Sequence, residues 1–380
     1  MKVLFVHNHY QVRSGEALVF EHDRRAVELA GHEVITYTRD NRELDDYGPL
    51  QRLTLGARTS WAWDTQRALS RLIERERPAI AHFVNTLPLI SPAAFWTCAT
   101  TLCPSSTTCR TIGRHVRQRP FYATARSATS ARSTGLARSV IHACYRGSRA
   151  ASAAVAVATA LHRSIGTFAH AVDRYLVPSQ FMARTLARYA NIEEHKLIVK
   201  VNAVTPDPGC QILRGEYLLF VGRLTVEKGI LTLLDAYARL QDAPVLRIVG
   251  EGPLHAEIAQ RVAGDARLQR VELIGALPHE QAVACIREAR ALIVPSQWYE
   301  GVPLGLLEAF ACGAPVVAGR IGSLAEVVRH GDNGLLFEAG DAADLARVIE
   351  LLLNQPELAS ALGARGRESY LAAHTLEQNA

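Results

Sequence analysis

Lysine is almost missing from this chain: 38 of its 42 basic residues are Arg, a skew that points to GC-rich coding rather than to a surface selected for nucleic acid. The net charge is only +5, so no nucleic-acid partner is expected. The seven cysteines are scattered and never spaced as CxxC, which argues against a zinc site or a disulfide framework and for a reducing cytoplasm. No apolar run reaches 18 residues, and the opening MKVLFVHNHY reads as a buried strand without a cleavage site, so neither a membrane span nor export is expected. One absence is local. Residues 77–172 hold no Asp or Glu, although the chain has 37 acids.

Hydrophobic residues make up 48% of the 380, and a chain of this length suits two domains of about 150 to 200 residues. Residues 2–6 read as a strand, 16–30 as a helix with apolar positions Leu18, Val19, Val27 and Leu29, and 32–37 as a second strand, a βαβ opening. A helix over 63–76 and a strand over 80–83 continue the alternation. A strand over 174–177 then leads into a helix for which Ser179 is the N-cap. After a short strand at 196–201, the turn-rich NAVTPDPG of residues 202–209 predicts a linker. Strands then recur at 217–221, 245–249, 271–274, 291–294 and 315–318. The pattern predicts an α/β protein of two doubly wound halves, 1–205 and 206–380, with ligands beyond the carboxyl ends of the strands.

Residues 99–139 break this pattern, being dense in Ser, Thr and Arg without helical or strand periodicity. A mobile basic loop, or one that touches anionic lipid, is one reading. The composition favours another, the translation of a shifted reading frame, which predicts an irregular segment and a first sheet that lacks a central strand.

The stretch WYEGVPLGLLEAFACGAPVVAG, residues 298–319, concentrates the chemistry. Glu300 precedes Gly301, Val302 and Pro303, a loop that cannot yet be helical. Residues 304–312 then read as a short apolar helix from Leu304, closed by Gly313 and Pro315, with Glu308 about one turn inside. Free N–H groups and the positive dipole end at the helix start suit a phosphate, while the two carboxylates suit sugar hydroxyls.

The glutamate pair at eight-residue spacing, followed by ACGAPVVA, resembles the signature of retaining glycosyltransferases of family four, which have the GT-B fold of two Rossmann-like domains facing across a cleft. The resemblance places Glu300 by the donor sugar and Glu308 on the ribose hydroxyls, with Gly301, Val302, Pro303 and Leu304 lining the donor. Residues 217–229, YLLFVGRLTVEKG, are similar to the family's strand–loop motif. There Gly222 lets the backbone approach, and Arg223 and Lys228 hold the donor diphosphate and stabilise the charge of the leaving group. VGEGPL puts Gly250 and Gly252 where the nucleotide base packs. Ser296 reads as a turn cap, and Ser323 and Glu326 as a segment near the pyrophosphate or equally as a helix cap and face.

In the first half, Gly15 of VRSGEALVFE resembles the family's glycine loop, although Ser14 stands where relatives commonly have a second glycine, which weakens the case for tight backbone approach. His7, Asn8 and His9 follow the first strand, and the histidines read best as satisfied loop residues. His82 and Asn85 are the acceptor-side candidates. The resemblance covers about residues 1–98 and 142–379. In its relatives a strand, often with an acceptor-side histidine, occupies the place of 99–139.

The resemblance implies transfer of a sugar from a UDP-sugar or GDP-sugar to a glycan or lipid-linked acceptor in cell-surface polysaccharide synthesis. It implies front-face attack with retention, and no required cofactor or metal, which the lack of a DxD motif weakly supports. The protein would be cytoplasmic, with peripheral contact at the inner face of the cell membrane as an option. A sugar-nucleotide-binding protein without transferase activity and a GT-B sugar-nucleotide epimerase stay open as alternatives, and the Arg/Lys loop with the eight-spaced glutamates favours transfer.

Overall fold

A computed structural model describes residues 1–10, 15–108, 140, 148–211 and 215–380. Among them, 1–200 with 379–380 form one compact unit and 201–378 a second. The first unit holds β1 (Lys2–His9), β2 (Glu33–Asp40), β3 (Ile80–Asn85), β4 (Ser105–Thr108), β5 (Arg174–Val177) and β6 (Leu197–Val199) in one parallel sheet of order β2-β1-β3-β4-β5-β6. The second holds β7 (Tyr217–Val221), β8 (Val245–Val249), β9 (Val271–Gly275), β10 (Ala291–Val294), β11 (Val316–Gly319) and β12 (Leu335–Phe337), also parallel, in the order β12-β11-β10-β7-β8-β9. Each order reverses beside the unit's first strand. The crevices where such sheets take ligands therefore lie between the carboxyl ends of β1 and β3, and of β7 and β10.

Near-continuous apolar strands make the second sheet, as helices on both faces require. Leu218, Phe220, Ile248, Ile293, Val317 and Phe337 pack with helix Ala342–Asn354 on one face. Leu219, Leu292 and Val316 pack with Leu307 and Phe310 of helix Leu304–Ala311 and with Tyr370 on the other. The turn-rich stretch after residue 201 is tied into this unit: Asn202 Nδ2 donates to the Val302 carbonyl at 3.1 Å and Val204 N–H to that of His374 at 2.9 Å.

The first unit departs from the sequence reading in three places. β1 does not stop at Val6. His7, Asn8 and His9 stay in the strand, paired with Thr38, Arg39 and Asp40 of β2, because the two rings pack against Phe20 and the Asn8 Nδ2 group is bonded inside. The His7 ring stacks on Phe20 at 4.6 Å, and Asn8 Nδ2 donates to Asn41 Oδ1 at 2.9 Å and to the Leu87 carbonyl at 2.7 Å. Second, helix Gly15–Leu29 buries Val19, Phe20 and Ala26, with Asp23 paired to Lys200 at 2.7 Å, while Leu29 is 55% exposed. The apolar stripe lies partly round the helix from the expected one. At the far end of the unit Ser179 caps its helix as expected, accepting the Met182 N–H at 3.1 Å.

The third departure corrects the expected gap in the sheet. Within 99–139, the described residues 99–108 finish helix Ala94–Thr100 and form β4, which sits between β3 and β5. A strand as polar as SSTT is stable there because its hydroxyls are satisfied. Ser105 Oγ donates to the Ala171 carbonyl at 2.8 Å and Thr107 Oγ1 to that of Phe83 at 2.9 Å. The His82 ring bonds Ser106 Oγ through Nδ1 and Thr108 Oγ1 through Nε2, both at 2.8 Å. Residues 109–139, on which the shifted-frame reading otherwise rests, lie outside the described residues. His82→Ala should leave both hydroxyls partnerless and cost about 2 kcal/mol. Urea unfolding measures this, and an unchanged midpoint would mean that β4 is held without the histidine. Among the described residues no helix is long and apolar enough to cross a membrane.

Candidate functional site

The loops leaving β7, β8 and β10 are seated on one another backbone to backbone. Gly250, at φ +137°, has no room for a side chain, since a Cβ would lie 1.9 Å from the Gly222 carbonyl oxygen. Gly229, at φ +71°, is seated likewise on the Pro295 carbonyl, where a Cβ would approach to 1.8 Å, and Gly252 lies against Leu224. Backbone hydrogen bonds complete the join, Gly222 N–H to Val249 at 3.0 Å, Leu224 N–H to Glu251 at 2.9 Å and Gln297 N–H to Glu227 at 2.9 Å. Three strand ends thus carry one fixed platform.

On it, the turn Val226–Lys228 presents a lysine to the β10 loop. Lys228 Nζ donates to Glu300 Oε2 at 2.5 Å, and Ser296 Oγ donates to Glu300 Oε1, so both carboxylate oxygens are held. The lysine side chain is 31% exposed and remains reachable by a ligand. Arg223 is exposed, and among the described residues no carboxylate pairs with it.

Helix Leu304–Ala311 begins at Pro303 without a side-chain cap. Its opening turn leaves N–H groups free of intrahelical partners, and beside them Gly305 faces open space, with nothing within 4 Å of where a Cβ would stand. Gly301 bends the chain ahead of it and Val302 is buried, its carbonyl taken by Asn202. Glu308 is the fifth residue of this helix and only 5% exposed. Among the described residues, the one side-chain partner of its carboxyl is His279 Nε2, 3.5 Å away. Burial raises Glu308 to about 7, and burial also lowers the His279 imidazole below its usual range.

The structure therefore gathers Gly222, Arg223, Lys228, Gly250, Gly252 and Glu300 at the carboxyl ends of β7, β8 and β10, with Gly301, Val302, Pro303, Leu304 and Glu308 running from there into the helix. Ser323 stands at the start of helix Leu324–Val327 but its side chain does not cap it. In the first unit Gly15 is the exposed first residue of its helix, while Ser14 lies outside the described residues. His82 and Asn85 are buried and engaged within their own sheet. Asn85 Nδ2 donates to the Asn8 carbonyl at 2.7 Å and its Oδ1 accepts the Leu87 N–H at 3.2 Å, which ties the ends of β1 and β3 together. Two members of the site were not legible in the sequence. Ser296 holds Glu300 rather than a turn, and His279 opens helix His279–Glu288 after β9, a place to which no sequence motif pointed.

Residues 212–369 match the family described as glycosyl transferases group 1. The match falls within the second unit. An uncharacterized glycosyltransferase of Methanocaldococcus jannaschii is 30% identical over 218 residues, 52% of this chain and 61% of that protein, so the chain spans less than two thirds of that relative's length. Among solved structures, Anabaena HepE in complex with UDP-glucose superposes with a TM-score of 0.66 at 15% identity over 99% of this chain and 96% of that one. Sucrose-phosphate synthase of Thermosynechococcus elongatus gives a TM-score of 0.67 at 20% identity over 99% and 95%. The chain has the GT-B fold.

Proposed function

We propose that the protein is a retaining glycosyltransferase, moving a sugar from a UDP- or GDP-sugar to a hydroxyl of a glycan or lipid-linked acceptor in cell-surface polysaccharide synthesis, in the cytoplasm at the inner face of the membrane. The observation that carries the reading is the Lys228–Glu300–Ser296 group at the β7/β10 crevice, set ahead of an uncapped helix start with a buried carboxyl one turn in. Binding of UDP-glucose by a neighbour of the same fold supports a nucleotide-sugar donor.

Glu308 accepts hydrogen bonds from the ribose, and the diphosphate takes Arg223, Lys228 and the helix N–H groups as counter-charges. As the bond from the anomeric carbon to the phosphate oxygen breaks, its electron pair passes to the diphosphate. The two cations stabilise that charge without reorganising. The acceptor oxygen bonds to the anomeric carbon on the same face, and its proton passes to the leaving phosphate oxygen. Glu300, released from Lys228, takes sugar hydroxyls. His82 and Asn85 belong to the acceptor half of this reading, in which they shape the end of β3 that the acceptor meets.

Titration of UDP and GDP without any sugar tests the assignment. Glu308→Gln should weaken binding about tenfold, by about 1.4 kcal/mol, whereas Glu300→Gln should leave affinity nearly unchanged and reduce turnover. Equal affinity losses in both variants would contradict the division of roles, and an inverted anomeric signal in the proton spectrum of the product would contradict retention.

A further inference from the structure

His279 differs from the histidines that hold the core of the first unit together. His82 and His162 are buried with both ring nitrogens bonded, His162 to Thr167 Oγ1 at 2.8 Å and to the Ser60 carbonyl at 2.7 Å, the arrangement of rings that hold a core together. His279 has a side chain 42% exposed and directs a single nitrogen at a single group, Glu308 Oε1 at 3.5 Å. That distance is longer than a tight hydrogen bond, so the carboxyl keeps most of its accepting capacity. The two residues come from neighbouring helices, His279–Glu288 and Leu304–Ala311, that pack against each other. A buried carboxyl with one loose partner is a costly arrangement unless a ligand completes it.

We propose that His279 is a positioning residue of the nucleotide half of the site, its ring N–H orienting the Glu308 carboxylate towards the vicinal hydroxyls of the bound ribose. The inference rests on the reading of Glu308 as the ribose acceptor. The imidazole is neutral near pH 7, since burial lowers it, and so it offers one N–H without adding a positive charge that would compete with Arg223 and Lys228 for the diphosphate. Its exposed flank leaves the ring within reach of the nucleoside, so it walls the place where the sugar ring of the nucleotide enters.

The test is a titration of whichever of UDP and GDP saturates the wild type, with the 2′-deoxy form of the same nucleotide alongside. His279→Ala should weaken binding about tenfold, and His279→Gln, which keeps an N–H near the same place, should recover most of the loss. In a Glu308→Gln background the His279→Ala change should have little further effect, because the pair acts as one unit. The penalty for the 2′-deoxy nucleotide should shrink in His279→Ala. Losses that add independently, or a deoxy penalty that does not change, would overturn the role of His279 while leaving Glu308 on the ribose. Failure of Glu308→Gln alone to weaken binding, or failure of both UDP and GDP to bind, would overturn the ribose reading itself and this inference with it.

Discussion

Lys228→Ala is expected to slow sugar transfer about a hundredfold, equivalent to roughly 2.7 kcal/mol of transition-state stabilisation, while the protein stays folded. The charge of Lys228 is matched by Glu300, at 2.5 Å, and transfer requires it to pass to the diphosphate as the leaving group becomes more negative. The lysine side chain is 31% exposed, so the ion pair itself adds at most about 1 kcal/mol to stability. The variant also strips Glu300 of one of its two holders and leaves only Ser296. Turnover at saturating donor, measured beside a thermal melt, checks both halves. Unchanged turnover would remove Lys228 from the chemistry, and loss of the melting transition would mean that the lysine serves the fold.

Glu308→Gln should make the ligand-free protein more stable at pH 8 by about 3 kcal/mol and change it little near pH 4.5. The carboxyl is raised by burial from 4.5 to about 7, so between those values the folded state binds the proton that the unfolded state has released. Stability of the wild type therefore falls as pH rises from about 4.5 to 7 and levels off above, where the full cost of burying the charge is present. A neutral amide has no such dependence. The same substitution weakens nucleotide binding, which makes Glu308 a residue kept at the expense of stability. Urea unfolding at pH 5 and pH 8 reads the difference between the two proteins. An equal difference at both values would show that the carboxyl does not pay this burial cost.

The sequence was most legible where an apolar run stands between turn signals. β5, β7, β8 and β10 fall at the expected residues, since burial leaves the composition of a strand in a parallel sheet little freedom. β4 was not legible, because what stabilises SSTT in a sheet centre is a set of partners far along the chain, His82, Phe83 and Ala171. The carboxyl end of β1 failed for the same reason, the buried Asn8 donating through Nδ2 to Asn41 and Leu87. Within the site, the spacing of Glu300 and Glu308 about a helix start could be read along the chain. The grip of Ser296 on Glu300 and the approach of His279 to Glu308 could not, because the first depends on how the β10 loop folds back and the second on the packing of two helices.

The glycine seats under the second unit's loops bear on how such a site can change its specificity. With Gly250 against Gly222 and Gly229 against Pro295, an insertion or a rerouted loop would have to part backbones that leave no space for even a methyl group. Diversification is then confined to side chains carried on fixed loops, with Arg223 and His279 among the exposed positions. A new donor preference would be reached by a few point substitutions at such positions, and grafting whole loops from a relative would cost the platform on which those side chains stand.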